Sequence, residues 1–188
     1  MLKKGVLFTF VGLFILLAGL VIYMYYPEKK LPDYIEKQTG PTISKISVTI
    51  DSICIDKSSR SLMAYQDNIL LKTYTVSLGG NPIGHKVQKD DKRTPEGQYS
   101  IKNKTTQTNF HKTLILSYPN EKDKREAKKK GVDPGSGIEI HGLAKRWVRF
   151  GKLHRFSDWT QGCIALTNEE IDELYDHIQT GCPVLIIP

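Results

Sequence analysis

Cys163 stands in the stretch DWTQGCIALTN, residues 158–168, directly after Gly162 and ahead of a short apolar run. A thiol is mostly protonated at neutral pH, so it needs a base or an imidazolium beside it to react. Gly162 lets the backbone take conformations closed to other residues and leaves room for a substrate to approach. Consecutive N–H groups at such a turn can stabilise an oxyanion. The chain has five histidines to supply a base. His141 is the leading candidate: it follows the strand-like GIEI and precedes Gly142, and catalytic groups are commonly carried at the rims of rigid sheets. His154, in GKLHRFSDWT, is the second. His85 in a glycine-rich loop, His111 at the opening of a strand and His177 on a helix read as surface or structural groups.

Other chemistries find less support. Three cysteines and five histidines could in principle hold a metal. None is arranged as C-x-x-C or H-x-x-x-H, so neither a metal nor another cofactor is expected. Cys54 and Cys182 could pair in an oxidising compartment, but two buried free thiols, acting as small apolar groups, are the favoured reading. A redox role for Cys163 lacks a resolving cysteine nearby in sequence.

The elements that must position Cys163 and His141 are mostly strands. ISVTIDSICID alternates apolar and polar residues, with a break in phase near Asp51. SLMAYQ and ILLKTYTVSLGG follow, joined by a turn at Asp67 and Asn68. GQYSIKNK, KTLILSYP, GIEIHG and VLIIP are the remaining strand candidates. One helix is clear. Thr167 and Glu170 form a capping box, Ile171, Leu174, Tyr175 and Ile178 repeat at helical spacing, and Gly181 supplies the stop. The basic run EKDKREAKKK, residues 121–130, reads as a solvated loop or helix face. The expected fold is mainly β with a few helices.

The chain of 188 residues carries a formal net charge of +7, which suits an anionic surface without choosing one. Residues 5–26, GVLFTFVGLFILLAGLVIYMYY, contain no charge. As a helix they would span roughly 33 Å, enough to cross a hydrocarbon core of about 30 Å. Lys3 and Lys4 ahead of this stretch favour a cytoplasmic N-terminus, and Tyr23, Tyr25 and Tyr26 suit the far interface. The alternative of a cleaved signal peptide is weakened by the length of the run and the lack of a clean small-x-small site. The expected layout is a cytoplasmic 1–4, a transmembrane anchor 5–26, a linker 27–45 and a folded domain 46–188. That places the domain outside the cytosol, at the cytoplasmic membrane, and removes nucleic acid as a partner.

Taken together, DDKRTPEGQYSI, IEIHG and DWTQGCIALTN resemble the YkuD-type L,D-transpeptidase family, and the D-W-T-x-G-C-I-A segment resembles its YafK-like branch. The resemblance runs from about Ile46 to Pro188. It implies a β-sandwich-like catalytic domain and metal-free cysteine acyl transfer on peptidoglycan stem peptides. Cys163 would be the nucleophile and His141 its base. Gly162, Gln161, Thr160 and Gly142 would support them and the oxyanion, with Thr160 orienting the histidine or the loop. TPEG would form a turn feeding a strand that frames the cleft. His154, Arg155, Trp159 and Asn168 are candidate substrate contacts. Two positions depart from the common pattern: Gln161 replaces a histidine and Ala165 replaces an arginine. Arg149, Lys152 or Arg155 could supply that missing charge. A hydrolase acting through the same thioester and a non-catalytic wall-binding module remain alternatives. In a working enzyme, Cys163 is expected to alkylate below the pH of an ordinary thiol.

Overall fold

The structure, a computed structural model, describes residues 45–188. The stretch 5–26 and almost all of the linker 27–45 lie outside the described residues. Among the described residues no helix is long and apolar enough to cross a membrane.

Eight strands form a sheet in the order β3-β2-β1-β8-β4-β5-β6-β7. They are β1 (Ser52–Asp56), β2 (Ser61–Gln66), β3 (Ile69–Thr75), β4 (Gly97–Thr105), β5 (Thr113–Leu116), β6 (Glu139–His141), β7 (Ile164–Ala165) and β8 (Pro183–Ile187). β1 to β3 are an antiparallel meander, and Asp67 and Asn68 both take positive φ at the β2–β3 turn, as a tight hairpin requires. β4 joins two halves: Gly97–Ser100 pair with β8, and Ile101–Thr105 pair with β5, with an irregularity between Ile101 and Asn103. A break in the ladder at that point lets a strand bend. The strands therefore form one hydrogen-bonded order that bends at β4, and the described fold is mainly β as expected. Past β3 the chain bridges back to the far end of the strand order, Ser77 to Ala165 and Gly79 to Thr160. The core between these surfaces is aliphatic, with Ile55, Leu62, Leu114, Ile140, Ile164 and Leu174 fully buried.

Three helical segments accompany the sheet. α1 (Glu121–Lys130) is capped by Asn120 and Asp123, closes on Gly131 in the left-handed region, and buries just Asp123 and Ala127. The basic run 121–130 is thus a solvated helix face. A 3-10 segment, Lys145–Phe156, breaks at Gly151 and buries none of its side chains. α2 (Asn168–His177) has the capping box of Thr167 and Glu170 and buries Ile171 and Leu174. Its end differs from expectation. Ile178 already leaves the helix in an extended conformation, and Gly181, at φ 88°, serves the following turn. Lys104 Nζ donates to the free carbonyls of Tyr175 and Ile178, which favours ending the helix there. Cys54 and Cys182 are both free thiols, Cys182 buried and Cys54 half-buried.

Candidate active site

β6 and β7 run parallel in the middle of the site, with Ile140 opposite Ile164 and His141 opposite Ala165. Alternation along β6 sends Ile140 into the core and His141 to the other face. His141 is 1% exposed. Its Nδ1–H donates to Gly142 O at 2.7 Å, so Nε2 is the basic nitrogen. Phe110 stacks on the ring at 3.7 Å between centroids, and Trp159 meets it edge-on at 6.1 Å. Burial lowers the imidazole pKa to about 4, so the ring is neutral at neutral pH.

The turn after His141 is pinned from α2. Asn168 Oδ1 accepts from Leu143 N at 2.8 Å, so this side chain is engaged in holding the His–Gly turn. A Cβ on Gly142 would lie 2.8 Å from that same oxygen and from Ile171 Cγ2, which explains the glycine.

Cys163 is half-buried at the start of β7, and its Sγ donates to Gly137 O at 3.5 Å. Burial pushes the thiol up to about 11; a hydrogen bond from the Glu139 backbone opposes this, the Glu139 charge adds to it, and Lys86 opposes it. The resting pair is therefore neutral thiol and neutral imidazole, the reverse of a thiol expected to alkylate at unusually low pH. The turn is drawn together by Thr160, 4% exposed, whose Oγ1 donates to Cys163 O at 2.7 Å and accepts from Gly162 N at 3.0 Å. Thr160 thus orients the loop, and the Gly162 N–H is engaged with it. Gly162 has φ 128°, and a Cβ there would lie 2.6 Å from Arg93 O. Glycine is required on both counts.

The DDKRTPEG stretch is the bed on which this turn rests. Thr94, fully buried, accepts from Gly79 N at 3.0 Å. Asp91 accepts from Lys86 Nζ and from the backbone N–H groups of Val87, Gln88 and Arg93. Burial would raise its carboxyl, but these bonds prevail and lower it to about 2. Lys57 Nζ donates to Gly84 O, Thr94 O and Glu96 Oε1. Asp158 pairs with Arg60 at 2.7 Å and accepts from Leu78 N.

Beside His141 the 3-10 segment walls a cleft of about 420 Å³, with Arg146, Trp147, Phe150, Leu153, His154 and Trp159 on its sides. That volume suits a ligand of a few residues. Ser77 Oγ donates to His154 O, so His154 Nδ1–H must be the donor in its 3.0 Å contact with the same Oγ. His154 Nε2 is buried without a partner. Arg155 reaches Glu170 of α2 with one amino group, while its Nε is buried and unpartnered. Gln161 is exposed, and Ala165 is fully buried between Ser77 and His141. The structure thus gathers His141, Cys163, Gly162, Thr160, Gly142, Trp159 and His154 about one face. Phe110, Glu139, Ser77, Trp147 and Phe150 join them without having been singled out by sequence. No group of side chains among the described residues is arranged to hold a metal.

A family model for the L,D-transpeptidase catalytic domain (YkuD) matches residues 50–186. The structure of Bd1075 from Bdellovibrio bacteriovorus is similar at a TM-score of 0.55 and 27% identity, over 78% of this chain and 50% of that one. The helical cell shape determining protein Pgp2 from Campylobacter jejuni is similar at 0.54 and 20%, over 82% and 54%. The chain thus spans about half the length of these two structures. No curated protein matches it.

Proposed function

Because the chain belongs to the L,D-transpeptidase catalytic-domain family, we propose that it transfers an acyl group of a peptidoglycan stem peptide through a thioester on Cys163. The observation that carries this reading is the state of His141. Its Nδ1 is spent on Gly142 O, it is held neutral by burial, and it sits one strand from Cys163.

Cys163 Sγ attacks the carbonyl carbon of the donor amide as its proton passes to His141 Nε2. The C–N bond then breaks, and the leaving amine takes that proton, leaving the acyl group on sulfur. An acceptor amine attacks the thioester, gives a proton to His141, and expels sulfur, which recovers the proton. With both resting groups neutral, proton transfer accompanies attack rather than preceding it. The Gly162 N–H is occupied by Thr160, so the Cys163 N–H is the group assigned to the developing oxyanion. The aromatic cleft beside His141 is assigned to the substrate. The charge-free stretch 5–26 supports a membrane tether that holds this site outside the cytosol.

Mass spectrometry of tetrapeptide muropeptides incubated with the full chain and with Cys163→Ala tests the reading. The expected result is a Cys163-dependent cross-linked dimer with loss of the terminal residue. Shortening without a dimer assigns water as the acceptor instead. Unchanged product in Cys163→Ala overturns the nucleophile, and no product from either removes the catalytic reading.

A further inference from the structure

Glu139 lies beside the nucleophile, and its charge works against it. Carrying the β6–β7 register back one step from Ile140 and Ile164 sets Glu139 opposite Cys163. The two-residue period of the strand puts Glu139 on the same face as His141. The thiol points along this segment, toward Gly137 O. The Glu139 side chain is half-buried, and its carboxylate makes no hydrogen bond or ion pair among the described residues. Burial alone pushes its carboxyl above the usual range, and its charge in turn raises the Cys163 thiol.

The other charged group acting on the thiol is Lys86. It cannot answer Glu139, because its Nζ is committed to Asp91 Oδ1 at 2.8 Å and Gln88 O at 3.0 Å. His141 is neutral. A partly desolvated carboxylate without a partner is costly, and beside a sulfur that must become anionic it also slows attack. A cation brought by the substrate reverses both effects at once.

We propose that Glu139 receives an ammonium group of the donor peptide, next to the bond that Cys163 attacks, so that binding the correct peptide relieves the charge opposing the nucleophile. This inference rests on the acyl-transfer reading above and names the substrate feature that the site selects. Glu139 is then a specificity-determining residue: an acetylated or otherwise neutral side chain leaves the carboxylate unpaired.

The test uses a tetrapeptide with a lysine side chain, and the same peptide with that amine acetylated. Both are titrated calorimetrically against the full chain in detergent carrying Cys163→Ala, with and without Glu139→Gln. With Glu139 present, the free amine binds about tenfold or more tightly than its acetylated form. Glu139→Gln removes that preference and leaves the acetylated peptide's affinity unchanged. A preference that survives Glu139→Gln, equal binding of the two peptides, or binding of neither overturns the proposal. A second readout needs no peptide: in the chain with native Cys163, Glu139→Gln raises the iodoacetamide rate at pH 8 several-fold. An unchanged rate removes the electrostatic half of the argument. Neither measurement depends on product formation, so the acyl-transfer reading stands or falls separately on the muropeptide assay.

Discussion

Two regions meet at the candidate site, and they are built on opposite principles. Around Cys163, residues 79–97 and 158–163 are locked by buried polar groups that are almost fully satisfied. Lys57 makes three bonds, Asp91 accepts four, Thr160 fixes two backbone groups and Thr94 one. Beside His141, the 3-10 segment has no fully buried residue and leaves Trp147, Phe150 and Leu153 40–52% exposed. Its anchors are Ser77 on His154 and Glu170 on Arg155. The difference separates two demands. A nucleophile must be held within a fraction of an ångström, whereas a substrate wall gains from apolar surface left uncovered until a ligand arrives.

The lower region is the one to break first. Lys57→Met removes a side chain 3% exposed and leaves Glu96, 20% exposed, and two carbonyls without their cation. The expected loss is about 3–5 kcal/mol in urea unfolding, because the remaining carboxylate is uncompensated. Adding Glu96→Gln should recover part of it. If Lys57→Met costs less than about 1 kcal/mol, the bed is not the rigid partner in this comparison.

Gly162→Ala strikes where the bed touches the turn. The new Cβ meets Arg93 O at 2.6 Å in a backbone region that alanine avoids. A loss of about 2–3 kcal/mol is expected from strain and clash. Activity should fall further than stability does, since the turn that carries Cys163 must move.

His141 belongs to the seam, and pH reads its burial. Its folded pKa, about 4, lies below the ordinary 6.5, so the unfolded chain takes the proton first. The stabilising contribution is complete above pH 6.5 and is lost as pH falls toward 4. Between pH 7 and 5 that amounts to about 2 kcal/mol. His154, also lowered to about 4, adds its own slope, so the difference between the native chain and His141→Gln isolates one ring. The same protonation should place the acid limb of kcat/KM near pH 4. An acid limb near 6.5 would mean that the ring is hydrated in the working enzyme.

The sequence carried the rigid half well and the open half poorly, for a physical reason. Strands with alternating apolar residues and the Thr167–Glu170 capping box are local signals, and seven strands and α2 appear where those signals lie. The placement of Cys163 and His141 on neighbouring strands agrees with the family pattern their spacing resembles. β7 was not, since two residues cannot show a period. Nor was the 3-10 segment: KRWVRFGKLHRF interleaves cations and aromatics with no single buried face, so no periodicity marks it. Asn168 and Arg155 read as substrate contacts, but their groups are engaged with Leu143 N and Glu170, partners 25 and 15 residues away. Glu139 lay inside IEIHG but was given no role there. Its meaning comes from the β6–β7 register, which is a tertiary fact.

The smallest effect on stability is expected from the substrate wall, and it is the sharpest test of the division. Trp147 and Phe150 touch each other at 5.3 Å between ring centroids and are 45% and 40% exposed. Truncating both to alanine removes surface that the fold scarcely uses, so urea unfolding should change by about 0.5 kcal/mol or less. If the cleft holds the peptide, the same double variant should raise KM about tenfold or more while kcat holds within a factor of about three, because binding contacts made equally in ground and transition states affect KM alone. A fall in kcat at constant KM would place the aromatic wall in the chemistry. A loss of stability comparable to that of Gly162→Ala would show that the segment is part of the scaffold and that the two regions share one design.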